Sequence, residues 1–379
     1  MPVLEQQSVY PVPVEELFAW HTRPGAAQRL IPPWENVEIR TYSGGIHVGA
    51  QVDLRMRLGL VPVRWLALHD LYEENRRFRD IQVRGPFARW EHEHRFEAAP
   101  VGAALTDHVE YELPLHPLGD WFGGRYVRST LERTFRYRHA LLGYDLERHH
   151  RFHMQGVRRF QVRGAPGAID TALRAFLSTG GHSPADVHGD ADWVIQFVPS
   201  DGAELDLEWL HSPPVLRRKP AVIVVEGPSA RSEDGWLDAS VRDVALAEAA
   251  GAGIRAVWLR TGHVLTPAGG SLRELVRAMA ARRQVRSGRE GFRWISIEDL
   301  LGIIQFAAFH PSLCGPVEAS APGRASTADF LGTVRRVMKH PAQTDLQSPA
   351  ATSVPLLSEH DFDFLFPELE RALRFLLGR

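Results

Sequence analysis

Gly164 and Gly167 stand three residues apart in Gly164-Ala-Pro-Gly167, directly after the strand-like run Arg159-Phe-Gln-Val-Arg163. Glycine at such positions permits a tight bend and lets backbone N–H groups approach a phosphate at the start of a helix. An ordinary strand-to-helix turn uses the same residues, and Pro166 removes one N–H from the loop. His92 and His94 lie two apart on a strand-like run, so they point the same way and could chelate a metal. Zinc needs a third and usually a fourth ligand that the sequence does not identify. Both therefore read as solvated strand histidines, and no metal ligand is assigned. His149, His150 and His153 fall at a helix end, where the dipole favours them; no adjacent glutamate completes a metalloprotease motif. Ser229, near His263 or Asp234, has no nucleophile-elbow context, which argues against a hydrolase triad. The single cysteine, Cys314, rules out an intrachain disulfide and any Cys-rich zinc site, as suits a reducing compartment.

These residues sit on a chain of 379 residues with 44% hydrophobic and 24% charged side chains, an ordinary globular balance long enough for two domains. Net charge is -2, with arginine and acids interspersed throughout and only Lys219 and Lys339 as lysines, so no nucleic-acid partner is expected. Leu300 to Phe309 is interrupted by Gly302 and Gln305 and falls far short of the roughly 20 residues that span a bilayer. Met1 to Tyr10 lacks the basic start and apolar middle of a signal peptide, and the expected location is cytoplasmic. A homodimer is compatible with this composition.

The periodicity changes along the chain. Through about residue 115 it mostly alternates: Val52, Leu54, Met56 and Leu58 against Asp53, Arg55 and Arg57, then Trp65 to Leu68, Phe78 to Val83, Trp90 to Phe96 and Val109 to Leu113. A two-residue period predicts antiparallel strands with one face on a core. A short helix opened by Pro13 and ended by Pro24-Gly25 precedes the sheet. After Gly123-Gly124, the residues Leu131, Phe135, Leu142 and Leu146 recur at helical spacing as far as about His150, predicting one long helix on the sheet. From Arg158 strands and helices alternate: Arg159–Arg163, Ala168–Leu177, Ala191–Val198, Ala221–Val225, Trp236–Ala250, Ile254–Leu259. That order predicts a parallel, doubly wound sheet.

The order helix, antiparallel sheet, long helix resembles the START-like or Bet v 1-like superfamily, also called SRPBCC. The stretch Phe18-Ala-Trp-His-Thr-Arg-Pro-Gly-Ala-Ala-Gln-Arg-Leu-Ile-Pro-Pro-Trp34 with Trp90-Glu-His-Glu-His-Arg-Phe96 is similar to its cyclase/dehydrase-type branch. The resemblance implies an α+β helix-grip fold over residues 1–152 and a cavity for an apolar or amphipathic small molecule. Candidate lining residues are Thr134, Tyr137, Leu141 and Tyr144 on the helix and Trp65 and Trp90 on the strands; the same aromatics could instead fill the core.

Gly253-Ile-Arg-Ala-Val-Trp-Leu-Arg-Thr-Gly262, Ser287-Gly-Arg-Glu-Gly-Phe-Arg-Trp-Ile-Ser-Ile-Glu-Asp-Leu300 and Ser312-Leu-Cys-Gly-Pro-Val-Glu-Ala-Ser-Ala-Pro322 resemble a bacterial epimerase family. It belongs to the extended short-chain dehydrogenase/reductase (SDR) class, and some of its members are labelled cell-division-inhibitor-like. Leu357 to Leu373 resembles that family's small C-terminal module, at about 340–379. The resemblance implies a Rossmann-like α/β domain over 153–379 and NAD or NADP as cofactor. The family's three glycines fall on Gly164, Gly167 and Asp170, so the third is lost, and the segment Gly180 to Asp190 that should carry the second strand and its ribose-binding acid is short. SDR enzymes use a tyrosine whose pKa is lowered by a lysine. All seven tyrosines here lie at or before Tyr144, and neither Lys219 nor Lys339 has Tyr-xxx-Lys spacing. The expectation is a vestigial cofactor site at Gly164, Gly167, Arg260 and Thr261 with no cofactor bound and no catalytic residues assigned. Ser287, Gly288 and Arg289 are expected to face an anionic ligand. The whole chain then reads as a binding or scaffolding protein, with an NAD(P)-dependent oxidoreductase or epimerase as the alternative.

Overall fold

Alternating apolar residues in the first third of the chain build a seven-stranded antiparallel sheet in the order β1-β7-β6-β5-β4-β3-β2. Its strands are β1 (Val3–Tyr10), β2 (Glu38–Ser43), β3 (Gln51–Leu58), β4 (Val61–Glu73), β5 (Arg77–Arg84), β6 (Arg89–Ala98) and β7 (Ala103–Glu112). Two short helices, α1 (Val14–Thr22) and α2 (Ala26–Arg29), join β1 to β2, and the long helix α3 (Leu118–Phe152) follows β7. This is a helix-grip arrangement. The computed structural model describes residues 2–35, 37–58, 61–114, 118–165, 167–186, 189–199, 205, 207–228, 239–280, 291–339, 357 and 362–379.

Two features depart from the sequence reading. Strand β1 precedes the short helix and pairs along its length with β7, Val3 opposite Glu110 through Tyr10 opposite Ala103. Helix α3 also runs through Gly123-Gly124 rather than starting after them. Glycine costs about 1 kcal/mol relative to alanine inside a helix, and continuous packing of so long a helix outweighs that.

The second part is a doubly wound parallel sheet in the order β15-β12-β11-β10-β8-β9. In chain order it comprises β8 (Arg159–Arg163), α4 (Gly167–Thr179), β9 (Ser183–Pro184), β10 (Trp193–Phe197), α5 (Pro213–Arg218), β11 (Ala221–Glu226), α6 (Ala239–Gly251) and β12 (Ala256–Thr261). Next come β13 (His263–Leu265), α7 (Gly270–Ala280), β14 (Gly291–Ser296), α8 (Ile297–Phe309), β15 (Gly315–Ala319), β16 (Arg324–Ser326), α9 (Thr327–Lys339) and α10 (Leu369–Leu377). Every residue of β10 is buried and β11 is nearly so, as strands covered on both faces require. Each fully buried side chain of the size of Ile195 or Ile223 contributes about 1.5–3 kcal/mol. A small sheet, β13-β14-β16, stands beside it.

The chain divides into two compact units, Met1–Arg151 with Ser178–Gly181 and Gly378, and Phe152–Leu177 with His182–Leu377 and Arg379. No helix among the described residues is long and apolar enough to cross a membrane.

Candidate functional site

The inner face of the antiparallel sheet carries polar chemistry where a filled core would carry aliphatic residues. On β6 alternation turns Trp90, His92, His94 and Phe96 inward, and on β7 Leu105, Asp107, Val109 and Tyr111. Register then sets the neighbours: His69 lies opposite Asp80, Asp80 opposite His92, and His94 opposite Asp107. His139 from α3 and His21 from α1 complete the group.

His92 bridges two carboxylates, with Nδ1 3.2 Å from Asp80 Oδ1 and Nε2 3.1 Å from Asp107 Oδ1. His139 Nε2 lies 2.8 Å from Asp107 Oδ2. His94 Nδ1 is 2.6 Å from Asp107 Oδ1 but outside hydrogen-bonding geometry. The Nδ1 atoms of His69, His94 and His139 are buried with no hydrogen-bond partner among the described residues. His21 Nδ1 donates to the Leu17 carbonyl at 2.9 Å.

Electrostatics separates the imidazoles. Burial pushes His92 down, but hydrogen bonds and charge from Asp107 and Asp80 outweigh it and raise the ring to about 9. Burial and the neighbouring His92 charge lower His94 to about 4, and burial lowers His21 to about 3. Burial alone would raise Asp107, yet the histidines around it hold its carboxyl well below the usual carboxylate range. At neutral pH the site therefore has a protonated His92 clamped by two carboxylates beside the neutral ring of His94, their centroids 4.0 Å apart. Such a pair can hold or pass a proton. Asp80, His92 and His94 also each offer one ligand atom, all within 4.8 Å of one another.

This corrects the reading of His92 and His94 as solvated, since they are 4% and 7% exposed. Beside His94 a small void of about 10 Å³ is bordered by His21, Leu30, His94, Leu105, Asp107, Arg138, His139 and Leu142. It has room for about one water.

None of the expected lining residues borders that void. Trp65 and Trp90 do come together, at 5.0 Å and nearly perpendicular, but with Phe87 they form an aromatic cluster against Tyr111 and Phe135. Thr134 donates to Glu35 Oε1 at 3.0 Å, and Tyr137 packs edge-on against Trp34, so this side of α3 meets the segment before β2. Leu141 and Tyr144 are buried. Both sides of α3 carry apolar residues at helical spacing, and the side facing the sheet is Phe135, Arg138, His139 and Leu142.

In the second unit the chain leaves β8 to one side as β9 and returns to its other side as β10, a topological switch between β8 and β10. Ligands of open α/β sheets bind in the crevice at such a point, beyond the carboxyl ends of the strands. Gly164 turns there with φ +67°, and a Cβ on it would lie 3.0 Å from the Phe197 carbonyl oxygen; a Cβ on Gly167 would meet nothing. Asp170 is paired with Arg174 Nε at 2.8 Å, which offsets its charge at the helix start. The turn after β8 thus has the backbone bend by which a helix N-terminus approaches a phosphate. Strand β9 has two residues, and the first acid after it, Asp186, stands two residues beyond its end. Arg260 lies at the end of β12, partly exposed, but Thr261 is buried and its hydroxyl donates to the Glu226 carbonyl at 3.2 Å, facing the neighbouring strand rather than a crevice. Ser287, Gly288 and Arg289 lie outside the described residues.

Comparison with known proteins finds likenesses to two groups. Residues 10–135 match the family described as polyketide cyclase / dehydrase and lipid transport. An epimerase family protein of Mycobacterium bovis is 38% identical over 100 residues, which is 26% of this chain and 33% of that protein. The match thus spans about a third of the length of that curated relative. The nucleoside-diphosphate sugar epimerase of Corynebacterium glutamicum is 24% identical with a TM-score of 0.74, covering 99% of this chain and 90% of that one, which shows a shared fold. A human epimerase family protein solved with NADPH is 19% identical, covers 57% of this chain and 98% of that one, and has a TM-score of 0.41.

The chain joins a START-like fold to an SDR-like fold, and over part of its length it is similar to epimerase family proteins. In the START-like domain, sequence reasoning missed Asp80, Asp107, His69 and His139. Two hairpins held the signal: the turn near Gly85-Pro86 folds Asp80 onto His92, and the turn at Pro100-Val101-Gly102 folds His94 onto Asp107. In the SDR-like domain it missed Glu226, 2% exposed at the end of β11, where it accepts from Trp258 Nε1 at 2.7 Å.

Proposed function

We propose that this chain is a small-molecule-binding protein with domain limits at 1–152 and 153–379. Its START-like domain takes an apolar or amphipathic organic molecule against the histidine–aspartate face, and its SDR-like domain performs no autonomous oxidoreductase chemistry. The observation that carries the reading is the burial of His21, His69, His92, His94, Asp107 and His139 together, with His21, His94, Asp107 and His139 bordering one void on the inner face of the sheet. Burying ionisable groups costs several kcal/mol each unless they are paired, and such concentrations are candidates for functional sites. An organic ligand needs some 300–1,000 Å³, so binding requires α3 or the α1–α2 segment to move away from the sheet. Trp90 Nε1, buried without a hydrogen-bond partner among the described residues, is a donor available to such a ligand, with Trp65 beside it. Thr134, Tyr137, Leu141 and Tyr144 support the helix from its other side.

Native mass spectrometry of the freshly purified chain tests this reading, together with thermal shifts across an apolar ligand library. One organic molecule per chain, or a saturable upward shift, is expected. Absence of both would overturn it.

The switch point at Gly164 favours a second reading, in which NAD or NADP binds at β8 and β10 and the chain is an oxidoreductase or epimerase. Ser287, Gly288 and Arg289 would then contact an anionic substrate. Low-micromolar binding of either dinucleotide in a calorimetric titration would establish that alternative.

A further inference from the structure

We propose that Asp80, His92 and His94 form a binding site for a divalent transition-metal ion, Zn2+ or one of similar ligand preference. The three donors come from two adjacent strands, β5 and β6, and all turn inward because 80, 92 and 94 occupy inward positions of paired strands. A tetrahedral ion with donors about 2.0–2.1 Å away spaces those donors roughly 3.3 Å apart. Asp80 Oδ1 and His92 Nδ1 already stand 3.2 Å apart, and the third donor lies within 4.8 Å of both.

The surroundings fit a metal better than they fit a purely structural network. A metal-bound histidine typically donates its other ring N–H to a carboxylate, which fixes its tautomer and orientation. His92 has that arrangement: with Nδ1 toward Asp80, its Nε2 meets Asp107 Oδ1 at 3.1 Å. Two carboxylates face the same imidazole, so the position between Asp80 and His92 is built for positive charge. His94 is buried on the same strand two residues from His92, and its Nδ1 lies 2.6 Å from the Asp107 carboxylate that also meets His92. A carboxylate and two imidazoles are the donor set of open zinc sites, which leave a fourth position to water or ligand. The proposal stands whether or not the domain takes an organic ligand.

The test uses the full-length, tag-free chain after chelator treatment, titrated with Co2+ and followed by its d–d absorption. One equivalent should bind with the intense bands of tetrahedral coordination and be displaced by Zn2+. Asp80→Asn and His94→Gln, each checked by circular dichroism, should abolish that signal. Asp107→Asn should weaken binding by about 10–100-fold. His108→Gln, on the opposite face of β7, should leave it unchanged. No stoichiometric binding, or a signal that survives both ligand substitutions, overturns the proposal. Should the variants not fold, X-ray absorption of the Zn2+-loaded unmodified chain decides: two imidazoles in the ligand shell support the site, and a shell without them overturns it. Thermal shifts with the apolar library are measured on the chelator-treated chain, so failure of the organic-ligand reading and failure of the metal site are seen separately.

Discussion

Arg29 and Asp145 show what a single buried contact contributes. The guanidinium meets the carboxylate in a bidentate pair, Nε to Oδ2 at 2.9 Å and Nη2 to Oδ1 at 2.6 Å, with both side chains sealed from solvent. Removing one partner takes a bidentate, buried ion pair from the other, so Arg29→Ala or Asp145→Ala should each cost about 3–5 kcal/mol in equilibrium denaturation. The double substitution Arg29→Met with Asp145→Leu should recover most of that loss. Asp192 gives a pH-dependent case. Burial pushes its carboxyl up, but the Arg159 N–H at 2.8 Å and the Arg218 guanidinium hold it below its ordinary value of 3.8. Because the folded-state value is the lower one, the stabilisation is present above the ordinary value and lost as pH falls through the folded one. Asp192→Asn should therefore be less stable than the unmodified chain at pH 7, with the gap closing below about pH 4. A gap that stays constant with pH would show that Asp192 acts only through geometry. At this scale the sequence showed that His92 and His94 share a face, but not which face. Net burial is set by partners such as Asp107, 13 residues beyond His94, which only the hairpin register supplies.

Among elements, the turn from β8 to α4 was legible because Gly164 and Gly167 have no other ready explanation, and the two glycines have separable roles. Gly164 occupies a left-handed conformation against the Phe197 carbonyl, whereas Gly167 faces open space. Gly164→Ala should cost at least about 1–2 kcal/mol from backbone conformation alone, and Gly167→Ala should be close to neutral. Urea denaturation of both variants checks the contrast, and equal losses would contradict it. The orientation of α3 was not legible. Thr134, Tyr137, Leu141 and Tyr144 follow the same helical spacing as Phe135, Arg138, His139 and Leu142, and an apolar pattern on two sides of a helix cannot state which side meets the sheet. Strand β2, Glu38–Ser43, was missed for the opposite reason: none of its residues is buried, so it carries no alternation to read.

For the whole molecule, a period-two region followed by strand–helix alternation separated the two folds, because each packing layer imposes its own spacing. Function does not follow from that separation. The structural likeness to a nucleoside-diphosphate sugar epimerase extends over 99% of the chain, yet a fold hosts chemistry only through its residues. An SDR reaction needs a tyrosine and a lysine at the reacting carbon, and all seven tyrosines of this chain lie at or before Tyr144. The turn after β8 bends at Gly164, and β9 consists of Ser183 and Pro184 alone. We expect so short a strand to cost a dinucleotide ribose hydrogen bonds, worth about 0.5–1.5 kcal/mol each. Calorimetric titration of the full chain with NAD+, NADH, NADP+ and NADPH should therefore give no binding in the low-micromolar range, and incubation with sugar nucleotides plus either cofactor should give no epimerised or oxidised product. Gly164→Ala supplies the internal control. Low-micromolar binding that this substitution abolishes would place the cofactor at the β8 turn and overturn the prediction, whereas weak binding that is indifferent to it belongs elsewhere on the surface.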